Sequence, residues 1–325
     1  MSMTAQKSDY MKMIEYAVKA PSGHNTQPWK FRIGEDKIDI IPDFTKVLPV
    51  VDSDNRELFI SLGCAAENLC ITASALGYDS EMSVSQSGVI SIHLNKSEMV
   101  IIDKLYQQIE KRQTNRKAYD GKIIEEKILS ECISSLPKSE NIKIYAWQNG
   151  SDGFNTLKEY VLEGNIIQMQ NEKFVDELKS WMRFNKKHSE EKKDGLSYTV
   201  FGAPNLPAFI SKPVIGSFLN SKKQNKGDMK KIDSSSHFIL FTTVDNQPSD
   251  WIYLGGQLQR FLLLLTQSRI SHAYVNQPCE VNQLRERMGE SLPIRNEIPQ
   301  LLLRIGYADP APYSKRRNLE EVIIE

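Results

Sequence analysis

Cysteine is scarce in this chain, four residues in 325, and Cys64, Cys70, Cys132 and Cys279 show neither CxxC nor Cys/His spacing. That excludes a disulfide framework and a zinc site of ordinary pattern; the thiols read as small apolar core groups in a reducing compartment. The five histidines (His24, His93, His188, His237, His272) show no ligand spacing either, so no metal is expected. Net charge is missing as well, since Lys plus Arg and Asp plus Glu both count 41. A generally basic nucleic-acid binder is thereby excluded. The longest notable apolar stretch, Phe261 to Leu265, is far too short to cross a bilayer. Met1 to Tyr10 is polar and lacks the apolar centre of a signal peptide. The expectation is a soluble, cytoplasmic chain with neither membrane nor nucleic acid as partner. No GxGxxG follows a strand, and GxxxxGK and HExxH are absent, so dinucleotide-fold, P-loop and zincin chemistry find no support.

What is present is an apolar share of 40%, ample for one large unit or two of ordinary size. Tyr10, Met13, Ile14, Ala17 and Val18 recur at helical spacing, and Ala20-Pro21-Ser22-Gly23 stops that helix. Trp29, Phe31 and Ile33 alternate as a half-buried strand does, with Ile38 to Ile41 returning after a turn. Asp52-Ser53-Asp54 offers N-caps, with Glu57 at the capping-box distance, for a long helix ending near Gly77. Residues 81–94 alternate as a hairpin. Helices are expected at 100–112 and 124–135, a strand at Ile142 to Trp147, and helical stretches over 154–188. His237 to Val244 and Pro299 to Gly306 read as inner strands around an apolar helix over 250–269. Helices and strands mix without regular alternation, which predicts α+β rather than a doubly wound parallel sheet. Residues 183–235 are rich in Lys, Ser, Asn and Gly; they read as solvated surface, with a lid carrying Phe201 and Phe209-Ile210 as the lesser alternative.

Two long helices look alike. Phe59 precedes Leu62-Gly63-Cys64-Ala65-Ala66-Glu67, and Trp251 precedes Leu254-Gly255-Gly256-Gln257-Leu258-Gln259, with an aromatic and Leu-Gly at equal offsets. A glycine inside a helix is unfavourable unless something packs closely against it, so its repetition is informative.

Three segments carry chemistry. Pro21-Ser22-Gly23-His24-Asn25-Thr26-Gln27-Pro28-Trp29 joins a helix to a strand with small and polar side chains able to aim donors at a planar ligand. On residue chemistry alone a plain helix-terminating turn with satisfied Ser and Asn side chains is the favoured reading. Arg112-Gln113-Thr114-Asn115-Arg116 sets two guanidinium groups around a hydroxyl, which suits a phosphate. Lys315-Arg316-Arg317-Asn318-Leu319 is a basic tail.

Together these segments resemble the nitroreductase family. Pro21, Ser22, Asn25, Gln27, Pro28 and Trp29 match its Pro-Ser-small-x-Asn-x-Gln-Pro-Trp motif, and Arg112, Thr114 and Arg116 match Arg-x-Ser/Thr-x-Arg. Lys315 and Arg317 match its closing Lys-x-Arg, which leaves Arg316 facing solvent. The family carries Arg-x-Thr-x-Arg near its N-terminus, whereas here it lies mid-chain, as if opening a second copy. The resemblance, which includes the single-chain Acg-type group over nearly the whole length, implies a nitroreductase-like α+β fold. It would be an internally duplicated pseudo-dimer with central mixed or antiparallel sheets flanked by helices. The implied halves are 1–104 and 105–325, the second holding the possible lid at 183–235.

That resemblance also implies one FMN between the halves, held by Pro21, Ser22, Gly23, Asn25, Gln27, Arg112, Thr114, Arg116, Lys315 and Arg317. Gln277 and Pro278 would line it from the second half. The implied activity is NAD(P)H-dependent reduction of a small organic acceptor, nitroaromatic or quinone, by a monomeric pseudo-dimer or a homodimer. No side-chain nucleophile or general base is proposed, because the flavin carries the chemistry. The alternative is a flavin-binding, sequestering or sensing protein without turnover.

Overall fold

The structure, a computed structural model, describes residues 3–207, 210, 220–294 and 296–325. The chain forms two compact units, and each is discontinuous. The first comprises residues 1–112, 247–267 and 315–325, the second 113–246 and 268–314. A linear boundary at 104/105 therefore does not coincide with the compact units, because a helix and the tail from the later sequence build the first.

In the first unit the helix Met3–Ala17 buries Tyr10, Met13, Ile14 and Ala17, the face that its spacing predicts. A five-stranded sheet runs β11-β1-β2-β4-β3. Its members are β1 (Trp29–Ile33), β2 (Lys37–Pro42), β3 (Tyr78–Val84), β4 (Ile90–Lys96) and β11 (Ile323–Ile324). Strand β11 lies parallel to β1, with Phe31 opposite Ile323; the other pairings are antiparallel. The tail of the chain is thus an edge strand beside the segment that follows the Pro21 to Pro28 turn.

Helix Arg56–Ala75 is long and apolar enough to cross a membrane, yet 78% of that stretch is buried inside the protein, as in a core helix. Asp52 supplies its cap from a distance, accepting from Glu57 N and Leu58 N at 2.9 Å each. The N-cap position itself is Asn55, so the expected box between Asp54 and Glu57 does not form. Against this helix packs Pro248–Gln267 at a close crossing: a Cβ on Gly63 would lie 1.9 Å from Ile252 O, and one on Gly255 2.1 Å from Ile60 O. No side chain fits at either point, which is why two helix-weakening glycines persist there. Phe59 stacks on Trp251 beside the crossing, ring centroids 6.0 Å apart. The helix expected over 100–112 is instead a short 3₁₀ turn, Lys104–Gln108, opened by Asp103 accepting from Leu105 N.

In the second unit an antiparallel sheet runs β5-β8-β10-β9: β5 (Ile142–Gln148), β8 (His237–Thr243), β9 (Ser271–Tyr274) and β10 (Ile298–Gly306). All seven residues of β8 are buried, as its continuous apolar run requires of a central strand. Helices Asp152–Gln170 and Ser221–Asp233 pack in the same unit. The long helical stretch expected over 154–188 breaks at Asn171, which caps Glu172–Ser180. It breaks again at a short parallel pair, β6 (Met182–Arg183) with β7 (Leu196–Ser197). Of the lid expectation, Phe209 and residues 211–219 lie outside the described residues, as does the side chain of Phe201. Ile210 is exposed.

Candidate functional site

The turn after the first helix bends through three non-glycine residues in the left-handed region: His24 (φ 46°), Asn25 (φ 56°) and Gln27 (φ 54°). Such a run is unfavourable and persists where surroundings over-determine it. Here the determinants are visible. Ser22 O accepts from Asn25 N at 3.0 Å, Gly23 O from Thr26 N at 2.9 Å, and Ser22 Oγ from Gln27 N at 3.0 Å. Gly23 is packed tightly, since a Cβ there would lie 3.2 Å from Glu57 Oε2 and from Leu48 Cδ1. Pro21 follows the helix end as the ring that forbids its continuation.

The side chains of this turn grip the tail. Asn25 Nδ2 donates to Lys315 O at 3.2 Å, and Asn25 Oδ1 accepts from Arg316 Nη1 at 3.0 Å. Gln27, fully buried, accepts from Arg317 N on Oε1 at 2.8 Å. Arg317 also lies 3.6 Å from the Asp43 carboxylate and donates to Glu321 O. Arg316 is the correction. The tail's motif register leaves it in solvent, yet it is half-buried and donates to Val18 O (2.9 Å), Lys19 O and Ala20 O (3.2 Å each). Arg112, buried, donates Nη2 to the same Lys19 O at 2.8 Å, so two guanidinium groups share one acceptor. Burial and the charge of Arg112 lower Arg316 to about 9. The side chain of Lys315 is exposed; only its carbonyl is engaged.

The remaining expected residues belong to the second unit. Thr114 forms a bridge with His272, and Asn115 N donates to His272 O at 2.8 Å, which fastens the Thr114 to Arg116 segment to β9. Arg116 is half-buried and makes no hydrogen bond or ion pair among the described residues. Burial lowers its pKa, and Arg304 nearby adds to that, with Tyr274 and Tyr119 opposing. Gln277 opens the short helix Gln277–Glu280; its Nε2 donates to Asn165 Oδ1 at 3.1 Å, and its buried Oε1 has no hydrogen-bond partner among the described residues. Pro278 is buried in the same turn. Two arginines escaped the sequence reading. Arg316 has a signal, its place in the basic tail; Arg304 has none, being one cation inside an apolar strand.

No family profile matches the chain. Along nearly its whole length it is similar to a Mycobacterium tuberculosis protein named "Putative NAD(P)H nitroreductase Rv3131". Identity is 23% over 333 residues, 96% of this chain and 90% of that one. A second protein of that organism, "Putative NAD(P)H nitroreductase acg", is 20% identical over 328 residues, 95% of this chain and 93% of its own. Among solved structures, the FMN-dependent nitroreductase NfnB from Mycobacterium smegmatis in complex with NADPH aligns with a TM-score of 0.43 and 12% identity. That alignment covers 66% of this chain and 94% of the other.

Proposed function

We propose that the chain is a nitroreductase-family protein, an FMN-dependent oxidoreductase that takes electrons from NAD(P)H and delivers them to a small organic acceptor of nitroaromatic or quinone type; its similarity to the two Mycobacterium tuberculosis proteins supports this reading. The observation that carries this reading is Arg116, a half-buried guanidinium making no hydrogen bond or ion pair among the described residues, in the motif where the family's phosphate ligands fall. A cation taken out of water without a counter-charge is unfavourable, and a phosphate dianion offers the planar donor fork its matching acceptors.

Taken one residue at a time, the chemistry of the expected donors supports FMN. Arg112 and Arg316 in the first unit, and Thr114 and Arg116 in the second, are of the types that bind a phosphate, and Lys315 is a further cation. Ser22 accepts from Gln27 N, so its hydroxyl proton can be donated to a ring heteroatom. Pro21 and Gly23 keep that approach short of side-chain bulk. Asn25, Gln27 and Arg317 act chiefly by tying the tail to the turn. Gln277 and Pro278 remain candidates for lining the ring. Bound FMN supplies the hydride and electron transfer, and the protein supplies binding, orientation and electrostatics.

The test is direct. Purified protein should be yellow, or become so with added FMN, and should bleach on anaerobic addition of NADH or NADPH. Colourless protein that takes up no FMN overturns the reading. Bound FMN that neither nicotinamide bleaches leaves a flavin-binding protein without turnover.

A further inference from the structure

Arg304 lies in β10 of the second unit and is 2% exposed. Charged groups are seldom buried this deeply without a charged partner, yet no carboxylate lies within ion-pairing distance of it among the described residues. Its guanidinium stacks on the Tyr119 ring, 4.1 Å from the centroid. Nη2 donates to Lys117 O at 2.8 Å and reaches Asn115 O at 3.5 Å, while Nη1 reaches Ser235 Oγ and Lys231 O, each at 3.4 Å. Residues 115 and 117 flank Arg116, so one buried fork holds the backbone on both sides of it.

The surroundings complete that grip. Tyr119 donates its hydroxyl to Asn115 O at 3.1 Å, and its ring lies against Gly306, where a Cβ would come within 2.6 Å of a ring carbon. Asn115 Nδ2 donates to Asp309 O at 2.8 Å, and Lys117 Nζ to Pro310 O at 2.9 Å. These polar groups are committed to fixing the chain, whereas the Arg116 guanidinium makes no hydrogen bond or ion pair among the described residues. Apolar packing would staple this segment equally well; a second cation here adds positive potential beside a guanidinium that makes no ion pair among the described residues.

We propose that Arg304 is a positioning residue for an anion site at Arg116, fixing the backbone on either side of it and adding its own charge to the field that a phosphate group meets. The identity of that phosphate as part of FMN rests on the function proposed above. Preorganisation of this kind lowers the ordering cost of binding, and its effect falls on the phosphate and not on the flavin ring.

The experiment compares wild type, Arg304→Met and Arg304→Lys in titrations with FMN and with riboflavin, which lacks the phosphate. Methionine retains much of the length and an apolar face for Tyr119; lysine retains the charge without the fork. The expected result is FMN affinity lower by about tenfold to a hundredfold in Arg304→Met, with Arg304→Lys intermediate and riboflavin affinity unchanged. Equal loss for both flavins would mean a merely structural role, and unchanged FMN affinity would overturn the proposal outright. Should Arg304→Met fail to fold, the same comparison with Arg304→Lys decides. If wild type binds neither flavin, the FMN reading fails separately. Inorganic phosphate then tests Arg304 alone: it should raise the Tm of wild type more than that of Arg304→Lys, and an equal rise in both refutes the role.

Discussion

Arg116 and Arg316 carry the same side chain into opposite circumstances. Arg316 donates to four backbone carbonyls and an amide, whereas Arg116 donates to nothing among the described residues. Removing Arg116 should therefore relieve the protein when no ligand is present and harm it when one is. Arg116→Met is expected to raise the unfolding free energy of flavin-free protein by about 1 kcal/mol while weakening FMN binding about tenfold or more. Urea denaturation without flavin and an FMN titration measure the two effects. A less stable flavin-free variant would show that Arg116 is satisfied structurally and not waiting for a ligand. The choice between Arg316 and Arg317 was not legible in the sequence, for a physical reason. The tail around them has no helical or strand period to fix which side chain turns inward. Gln27 accepts from the Arg317 backbone and so sends the neighbouring side chain towards the Val18 to Ala20 carbonyls. That contact spans most of the chain and leaves no trace in local pattern.

Between elements, the decisive feature is the crossing of Arg56–Ala75 with Pro248–Gln267. Gly255 meets backbone: its Cβ would lie 2.1 Å from Ile60 O, and a carbonyl oxygen in a helix cannot step aside as a flexible side chain can. Gly256, its neighbour, faces only Glu67 Oε2 at 3.8 Å. Gly255→Ala should thus destabilise by about 2–4 kcal/mol, in spite of alanine's better helix propensity of about 1 kcal/mol. Gly256→Ala should be neutral or stabilising by about 0.5–1 kcal/mol. Thermal and urea unfolding of the two variants check the contrast, and equal effects would contradict the packing account. The glycines were visible in the sequence as a repeated oddity, and so were the first helix, the hairpins and the inner strands, because burial of one face imposes a period. The 100–112 region misled because its apolar residues are split: Leu105 and Ile109 are buried, while those before them face outward. Met99, Ile101 and Ile102 are exposed, 88%, 91% and 59%. The break at Asn171 was hidden too, since apolar residues continue on either side while the asparagine starts a new helix.

For the whole chain, the same crossing bears on how many flavins the proposed function calls for. Gly63 faces Ile252 and Gly255 faces Ile60, while Phe59 stacks on Trp251. One interval in sequence separates 59 from 251, 60 from 252 and 63 from 255. Contacts in which each partner repeats the other's are the mark of an isologous, two-fold interface. Found within one chain, they are what descent from two copies of a single motif would leave, a reading we propose; the later helix lies in the first compact unit. A two-fold ancestor would have offered two equivalent sites. This sequence holds Gln-Pro-Trp only at Gln27-Pro28-Trp29; the segment Asn276-Gln277-Pro278-Cys279 lacks the tryptophan, and Gln277 Nε2 is engaged with Asn165. Arg-x-Thr-x-Arg likewise occurs once, at Arg112 to Arg116. The expected stoichiometry is therefore one FMN per chain. Flavin released by heat and quantified against protein concentration measures it. A ratio of two per chain would mean that the second site survives with a different donor set, and that the single motifs do not limit binding.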